Sequence, residues 1–371
     1  MILLLYETDA KSVTAHFLRE TSPGGIKALS AGENKHAAHA DILRGGGCMC
    51  TAIAYKTKDR YFGRNLDVDR GYGETVTVMP RGFELRFRRE GIMKSHYALI
   101  GAAYVADGYP LYYDAVNEKG LCMAGLSFPG NAYYFGCAEG AHNVSPFELI
   151  PWVICRCANV REARELLRDT NIAEINFSDE LPLHPLHWII SGHDGTIAVE
   201  SVRDGLMIYD DPVEVLTNNP EFGFHMRNLS NYMNLTSARP VNRFSGALEL
   251  EAYSAGMGAV GLPGDLSSAS RFVRAAFVKW NSVAGTSEEE SVSQFFHILG
   301  SVEQQRGCSR TEGGWETTLY SSCCNADRGI YYYRTYRSST VFGIDMNRED
   351  LDGQRLVSYP MYEDNGIVIR N

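Results

Sequence analysis

Met49-Cys50-Thr51-Ala52-Ile53-Ala54-Tyr55-Lys56-Thr57-Lys58-Asp59-Arg60-Tyr61-Phe62-Gly63-Arg64-Asn65-Leu66-Asp67 is the stretch on which the fold turns. It reads as two strands, Cys50–Tyr55 and Arg60–Leu66, joined by the short polar turn at 56–59. A cysteine directly after a methionine becomes a chain terminus once that methionine is removed. It then carries a thiol and an α-amine on one residue, titrating at about 8.5 and about 7.7–8.0. Nucleophile and activating base are thereby held together, a known arrangement for nucleophilic catalysis. The hairpin folds Arg64 and Asp67 back beside that terminus. A nearby cation lowers a thiol pKa, which suits Arg64. Asp67 is placed to hydrogen-bond the amine and orient it, as the third member of a triad orients its base.

Outward from the hairpin, further strand pairs surround turn residues. Ala98–Val105 is an apolar strand candidate. Leu111–Val116 and Leu121–Phe128 flank Asn117-Glu118-Lys119-Gly120, whose glycine suits a left-handed turn position. His187–Gly192 and Thr196–Ser201 flank His193-Asp194-Gly195, and Glu316–Cys323 and Ile330–Tyr336 flank the turn at 325–329. Helices fall between these groups. Ser145-Pro146-Phe147-Glu148 is a capping box with Pro at the first helical position, and Pro151 kinks or restarts that helix. Asn159 caps a second helix through about Arg168. Ser267 or Ser268 caps a third, running to Trp280 with Phe272, Ala276, Phe277 and Trp280 on its apolar stripe. Thr286–Glu289 opens a fourth that Gly300 closes. Hairpins plus amphipathic helices predict an α+β fold.

The 371 residues carry a formal charge of −10, which argues against nucleic acid or an anionic membrane surface as partner. No apolar run approaches the roughly 20 residues of a membrane span. Nine cysteines without a regular framework suggest reduced thiols and a cytoplasmic protein. Cys48 with Cys50, and Cys155 with Cys157, lack a matching Cys or His pair at zinc spacing, so no metal is expected. Residues 1–49 begin with a short apolar run broken by Glu7 and Asp9 and preceded by no basic segment, which does not read as a convincing secretion signal, and end in Gly45-Gly46-Gly47. They are either a propeptide to be cut off or residues upstream of a true start at Met49, the second being favoured. Residues 50–371 then form a single catalytic domain. Either way Cys50 must end as residue one for the chemistry to work.

The first hairpin resembles the start of the choloylglycine hydrolase family, the bile salt hydrolases and penicillin V acylases. The resemblance continues, in family order, through Asn117-Glu118-Lys119-Gly120-Leu121, Leu216-Thr217-Asn218-Asn219-Pro220, Gly261-Leu262-Pro263-Gly264-Asp265, Ala269-Ser270-Arg271-Phe272 and Gly329-Ile330-Tyr331-Tyr332-Tyr333. It implies the four-layer αββα sandwich of N-terminal-nucleophile hydrolases, an amidase that needs no cofactor, and a homotetramer. Its catalytic set maps onto Cys50, Arg64, Asp67, Asn218 and Arg271. Asn218 is assigned to the oxyanion hole, where one donor is worth roughly 3–4 kcal/mol, and Asn219 to the turn. Arg271, in the first turn of a helix whose dipole it does not suit, is placed beside the nucleophile, whereas Arg274 is expected in a surface ion pair. One block departs: bile salt hydrolases commonly carry Asn, and many penicillin V acylases Tyr, where this chain has Ser127 in Leu126-Ser127-Phe128-Pro129. Ser127 keeps the main-chain N–H expected in the oxyanion hole. The absent amide side chain bears on substrate placement.

The leading expectation is hydrolysis of glycine- or taurine-conjugated bile acids through a thioester. Penicillin V or N-acyl homoserine lactones are the alternatives within the same chemistry. A Cys–His pair drawn from His184, His187, His225 or His297 is a rival mechanism. A non-catalytic binding protein that keeps Cys50 internal, or a thiol redox or metal-binding protein using Cys48 and Cys50, are rivals of another class.

Overall fold

The structure is a computed structural model and describes residues 49–311, 313–363 and 366–371, so the upstream extension and Cys48 lie outside the described residues. The deciding hairpin forms from Met49–Lys56 and Arg60–Val68, with Cys50 opposite Leu66 and Lys56 opposite Arg60. It lies inside a six-stranded sheet in the spatial order Val215–Leu216, Met49–Lys56, Arg60–Val68, Thr317–Asn325, Ile330–Thr335, Phe342–Asp345. The neighbouring strand approaches very closely at Gly63. A Cβ there would stand 2.0 Å from the Ser322 carbonyl oxygen, so the position admits only glycine without backbone movement.

A second antiparallel sheet runs Gly205–Asp210, Gly195–Val202, Leu186–Gly192, Cys122–Ser127, Asp114–Asn117, Leu99–Ala106, Thr75–Met79, Val357–Pro360, with Tyr109–Tyr112 also paired to Leu99–Ala106. Its side chains alternate. Cys122, Ala124, Leu126, Ile189 and Ala198 share a core with the first sheet, whereas Met123, Trp188, Ile190, Ile197 and Val199 face a separate core on the other side. Both faces are apolar because both are covered. Leu149–Ile154 and Val160–Arg168 pack on the second sheet, and Ser268–Asn281 and Glu288–Gly300 pack on the first. The layers are therefore helix, sheet, sheet, helix: the expected αββα sandwich.

Local signals explain the helix ends. Asn159 accepts from the Glu162 N–H, and Ser267 from the Ser270 N–H. Ser287 caps the last helix in a capping box with Glu290. The Ser145-to-Glu148 segment forms a single 3₁₀ turn, and the α-helix restarts at Leu149 with Pro151 in its first turn.

Two expectations need correction. The single strand expected at Leu111–Val116 is broken at Tyr113. Ala103 pairs with Tyr112 and Ile100 with Val116, so one strand spends four steps where the other spends three. That extra residue is a bulge. It turns Asp114 into the space between the sheets, where its carboxyl accepts from Tyr331 and Tyr320 hydroxyls at 2.7 and 3.1 Å. The stripe of the Ser268–Asn281 helix is also rotated from the expected one. Phe272, Ala275, Ala276 and Lys279 are buried, Phe277 is half-buried, and Trp280 is 63% exposed. Lys279 takes the inward position because its ammonium donates to Glu214 at 2.7 Å and to the Val213 carbonyl at 2.8 Å.

Candidate active site

Cys50 and Arg64 face the same way from paired strands, and the Arg64 Nη2 donates to the Cys50 Sγ at 2.5 Å. The guanidinium cannot swing away. Its Nη1 donates to the carbonyls of Tyr113, at 3.0 Å, and Gly125, both on the second sheet. Arg64 thus bridges the sandwich with none of its surface exposed. Burial raises the carboxyl pKa of nearby Asp114, against the pull of Arg64 and the hydrogen bonds from Tyr331 and Tyr320. A guanidinium fixed on a sulfur stabilises its thiolate form.

Asn218 arrives because Val215–Leu216 pairs with the first strand, Ala52 opposite Leu216. Its main-chain N–H donates to the Ser268 hydroxyl at 2.9 Å, tying the segment to the start of the Ser268–Asn281 helix. Its Oδ1 accepts from the Cys50 N–H at 2.9 Å and from the Arg271 Nη2 at 2.7 Å, while its Nδ2 donates to the Ser127 carbonyl at 2.7 Å. Two donors on one atom and a carbonyl on the other fix the amide's orientation. Asn219 sits in the turn as expected, its Nδ2 donating to the Pro129 carbonyl at 2.6 Å.

Arg271 completes this side. Its Nη1 donates to the Cys50 carbonyl at 2.6 Å and the Thr51 hydroxyl at 2.7 Å, and its Nε to the Leu266 carbonyl at 3.0 Å. Arg274, expected in a surface ion pair, instead donates to the main-chain carbonyls of Ser301, Pro263 and Asp265. Those carbonyls lie at the ends of neighbouring segments and offer it the charge-assisted bonds that a carboxylate was expected to give.

Asp67 stands opposite Met49 across the hairpin. Its Oδ1 accepts from the Thr318 hydroxyl at 2.6 Å, and its Oδ2 has no hydrogen-bond partner among the described residues. Burial pushes its pKa well above the usual carboxylate range, against the pull of Arg271. Sequence reasoning missed Glu316. It is 1% exposed, accepts from the Met49 N–H, and burial pushes it up to about 7. The Trp315-Glu316-Thr317 segment carries no local pattern that marks it.

Three of the four candidate histidines are hydrogen-bonded to groups other than the Cys50 thiol. His187 binds Glu200 through Nδ1 and the Thr217 carbonyl through Nε2, His225 donates from Nε2 to the Asn218 carbonyl at 2.9 Å, and His184 meets the Ser127 hydroxyl at 3.1 Å. Burial pushes His184 and His225 down to about 4, so both are neutral at pH 7. His297 lies on the solvent face of its helix. Among the described residues no group of three or more His, Cys, Asp or Glu side chains is arranged to hold a metal ion.

The site therefore joins a thiol, two buried guanidiniums, two buried carboxyls and an oriented amide. A bile salt hydrolase/transferase of Lactiplantibacillus plantarum is 52% identical over 314 residues, covering 84% of this chain and 97% of that protein. The bile salt hydrolase/transferase of Clostridium perfringens is 37% identical over 317 residues, covering 84% and 96%. A crystal structure of a variant of the conjugated bile acid hydrolase from Clostridium perfringens superposes with a TM-score of 0.80 at 36% identity, over 87% of this chain and 100% of that one. Penicillin V acylase from Agrobacterium tumefaciens, 20% identical, shares the fold with a TM-score of 0.65 over 83% and 90% of the two chains. Residues 50–359 match the family described as linear amide C–N hydrolases, choloylglycine hydrolase family. The chain belongs to that family of amidases.

Proposed function

We propose that this chain is a bile salt hydrolase that cleaves the amide of glycine- or taurine-conjugated bile acids with Cys50, freed as the N-terminal residue, as nucleophile. The observation that carries the reading is the Arg64 guanidinium fixed on the Cys50 sulfur, at the residue where the family match begins. The names of the relatives at 52% and 37% identity support the substrate class.

In the reaction the α-amine takes the thiol proton, directly or through water. The thiolate held by Arg64 attacks the amide carbonyl, and the tetrahedral oxyanion is met by the Asn218 amide and the Ser127 main-chain N–H. The C–N bond breaks as the ammonium returns the proton to the leaving glycine or taurine, leaving a thioester on Cys50. Water, deprotonated by the same amine, then attacks the thioester and releases the free bile acid. Arg271 holds the Cys50 carbonyl and the Asn218 amide in register throughout, and Asp67 orients the amine.

Residues 1–49 are removed or lie upstream of the functional start in this reading, and residues 50–371 make one catalytic domain. Eight free cysteines among the described residues support a reducing cytoplasmic location. No helix among them is long and apolar enough to cross a membrane. The arm over 233–260 leaves Met233, Phe244 and Tyr253 more than 80% exposed, which supports burial between subunits of a homotetramer.

Intact mass of purified protein, paired with amino-acid release from glycocholate and taurocholate, tests the reading. It predicts a chain that begins at Cys50 and releases glycine or taurine, and a Cys50→Ser variant that folds but is inert. Full activity in that variant refutes the mechanism. A Cys50 start with release only from penicillin V or an N-acyl lactone moves the substrate to those classes, which Ser127 in place of the usual amide side chain would then explain.

A further inference from the structure

Glu316, immediately before the Thr317–Asn325 strand, and Asp67, on the neighbouring Arg60–Val68 strand, close on one place, the Met49 residue that precedes the nucleophile. The Glu316 Oε1 accepts from the Met49 N–H, and its Oε2 meets the Ser309 hydroxyl at 3.4 Å. Asp67 faces Met49 across the hairpin with one carboxyl oxygen unpartnered among the described residues. The other charged groups facing this place are Arg271, whose guanidinium is occupied by Cys50, Thr51, Asn218 and Leu266, and the Cys50 thiol itself. Two buried carboxyls so close together are costly unless a cation stands between them. In the intact chain the charge of Arg271 eases that cost from the side, and the group Glu316 itself holds is the neutral Met49 N–H.

Removal of Met49 changes that balance. The donor now held by Glu316 is lost, and the Cys50 nitrogen becomes an amine one residue, about 3.8 Å of chain, further on. We propose that Glu316 is a positioning residue for that amine: with Asp67 it binds the Cys50 ammonium, through one water at the place vacated by the Met49 nitrogen. This rests on the reading that Cys50 becomes the chain terminus. Proton transfer from thiol to amine creates the ammonium and the thiolate together. Glu316 stabilises the first while Arg64 stabilises the second, so the pair is favoured over neutral thiol and amine. Burial holds Glu316 near 7 in the intact chain, and a new cation beside it favours its ionised form.

The test compares wild type, Glu316→Gln and Glu316→Asp. Intact mass reports where each chain begins. Iodoacetamide labelling of the Cys50 peptide, followed by mass spectrometry from pH 5.5 to 9, reports the thiolate without any substrate. Glu316→Gln chains that begin at Cys50 should label about tenfold more slowly near pH 6.5, the effect of one pKa unit. On glycocholate kcat should fall while KM stays within about twofold, as expected when ground-state binding is untouched. Glu316→Asp, which keeps the charge but draws it back by one methylene, should fall between. A Glu316→Gln chain that begins at Cys50 and labels with the wild-type rate and pH profile overturns the proposal. If the Gln variant does not fold, a wild-type labelling rate in Glu316→Asp overturns it instead. A wild-type chain that does not begin at Cys50 refutes the underlying reading, a result that the mass alone distinguishes.

Discussion

Replacing Arg271 by Lys separates charge from geometry, because the cation is kept and the planar fork is lost. The native guanidinium, itself fully buried, makes at least four hydrogen bonds, to the carbonyls of Cys50 and Leu266, the Thr51 hydroxyl and the Asn218 Oδ1. A single ammonium on a shorter reach can keep about two of these. Each buried acceptor left without a donor costs about 1–3 kcal/mol, so two orphans put the loss of stability at about 2–6 kcal/mol. Urea denaturation followed by circular dichroism measures it. Arg274→Lys is the control: its three acceptors are main-chain carbonyls at a half-exposed position where water can replace it, and its loss should stay below about 1 kcal/mol. Arg271 also fixes the Cys50 carbonyl and Asn218 relative to one another. A shift of about 1 Å there should lower kcat by roughly 100-fold. Stability within about 0.5 kcal/mol of wild type, a limit ordinary for surface substitutions, together with unchanged kcat would refute this account of Arg271.

Gly63→Ala should destabilise by about 3 kcal/mol or more, because its Cβ meets the Ser322 main-chain oxygen at 2.0 Å in a central strand. An alanine variant with wild-type urea midpoint would show that the strands are not so close. His225 supplies a pH test. Its folded pKa, about 4, lies below the ordinary 6.5, so between those values the native chain holds fewer protons than the unfolded one. The stabilisation it contributes is complete above pH 6.5 and is lost as pH falls toward 4, by up to about 3 kcal/mol. His225→Gln, which can still donate to the Asn218 carbonyl, should flatten the fall in thermal midpoint over that window, and an unchanged slope in this variant would contradict the assignment.

What was legible in the sequence was local. The first hairpin announces itself through two apolar strands around a polar turn, and the capping residues Asn159, Ser267 and Ser287 stand within four residues of the N–H groups they accept from. The family motifs brought Cys50, Arg64, Asn218 and Arg271 to one place, where the structure also brings them together. The misses depend on distant partners. Lys279 is buried and Trp280 exposed because Glu214, far back in the chain, supplies a carboxylate on the inward side. The bulge at Tyr113 answers to Asp114's partners on the other sheet, Tyr320 and Tyr331. Glu316 matters through the Met49 N–H, and nothing in its own neighbourhood in sequence tells it from any other acidic residue before a strand.

The bonds around Cys50 also say when in the life of the chain the site comes to exist. Cys50 finds Asn218 across 168 residues, Arg271 reaches back over 221, and Glu316 holds Met49 across 267. Contacts of such separation are late and slow to form, since each must first overcome the entropy of closing its loop. A chain emerging from the ribosome presents Cys50, Arg64 and Asp67 together early, and Asn218, Arg271 and Glu316 only later. A chain truncated before the Thr317–Asn325 strand lacks the central strand that pairs with Arg60–Val68, and is expected to lose the arrangement around Cys50 along with the sheet.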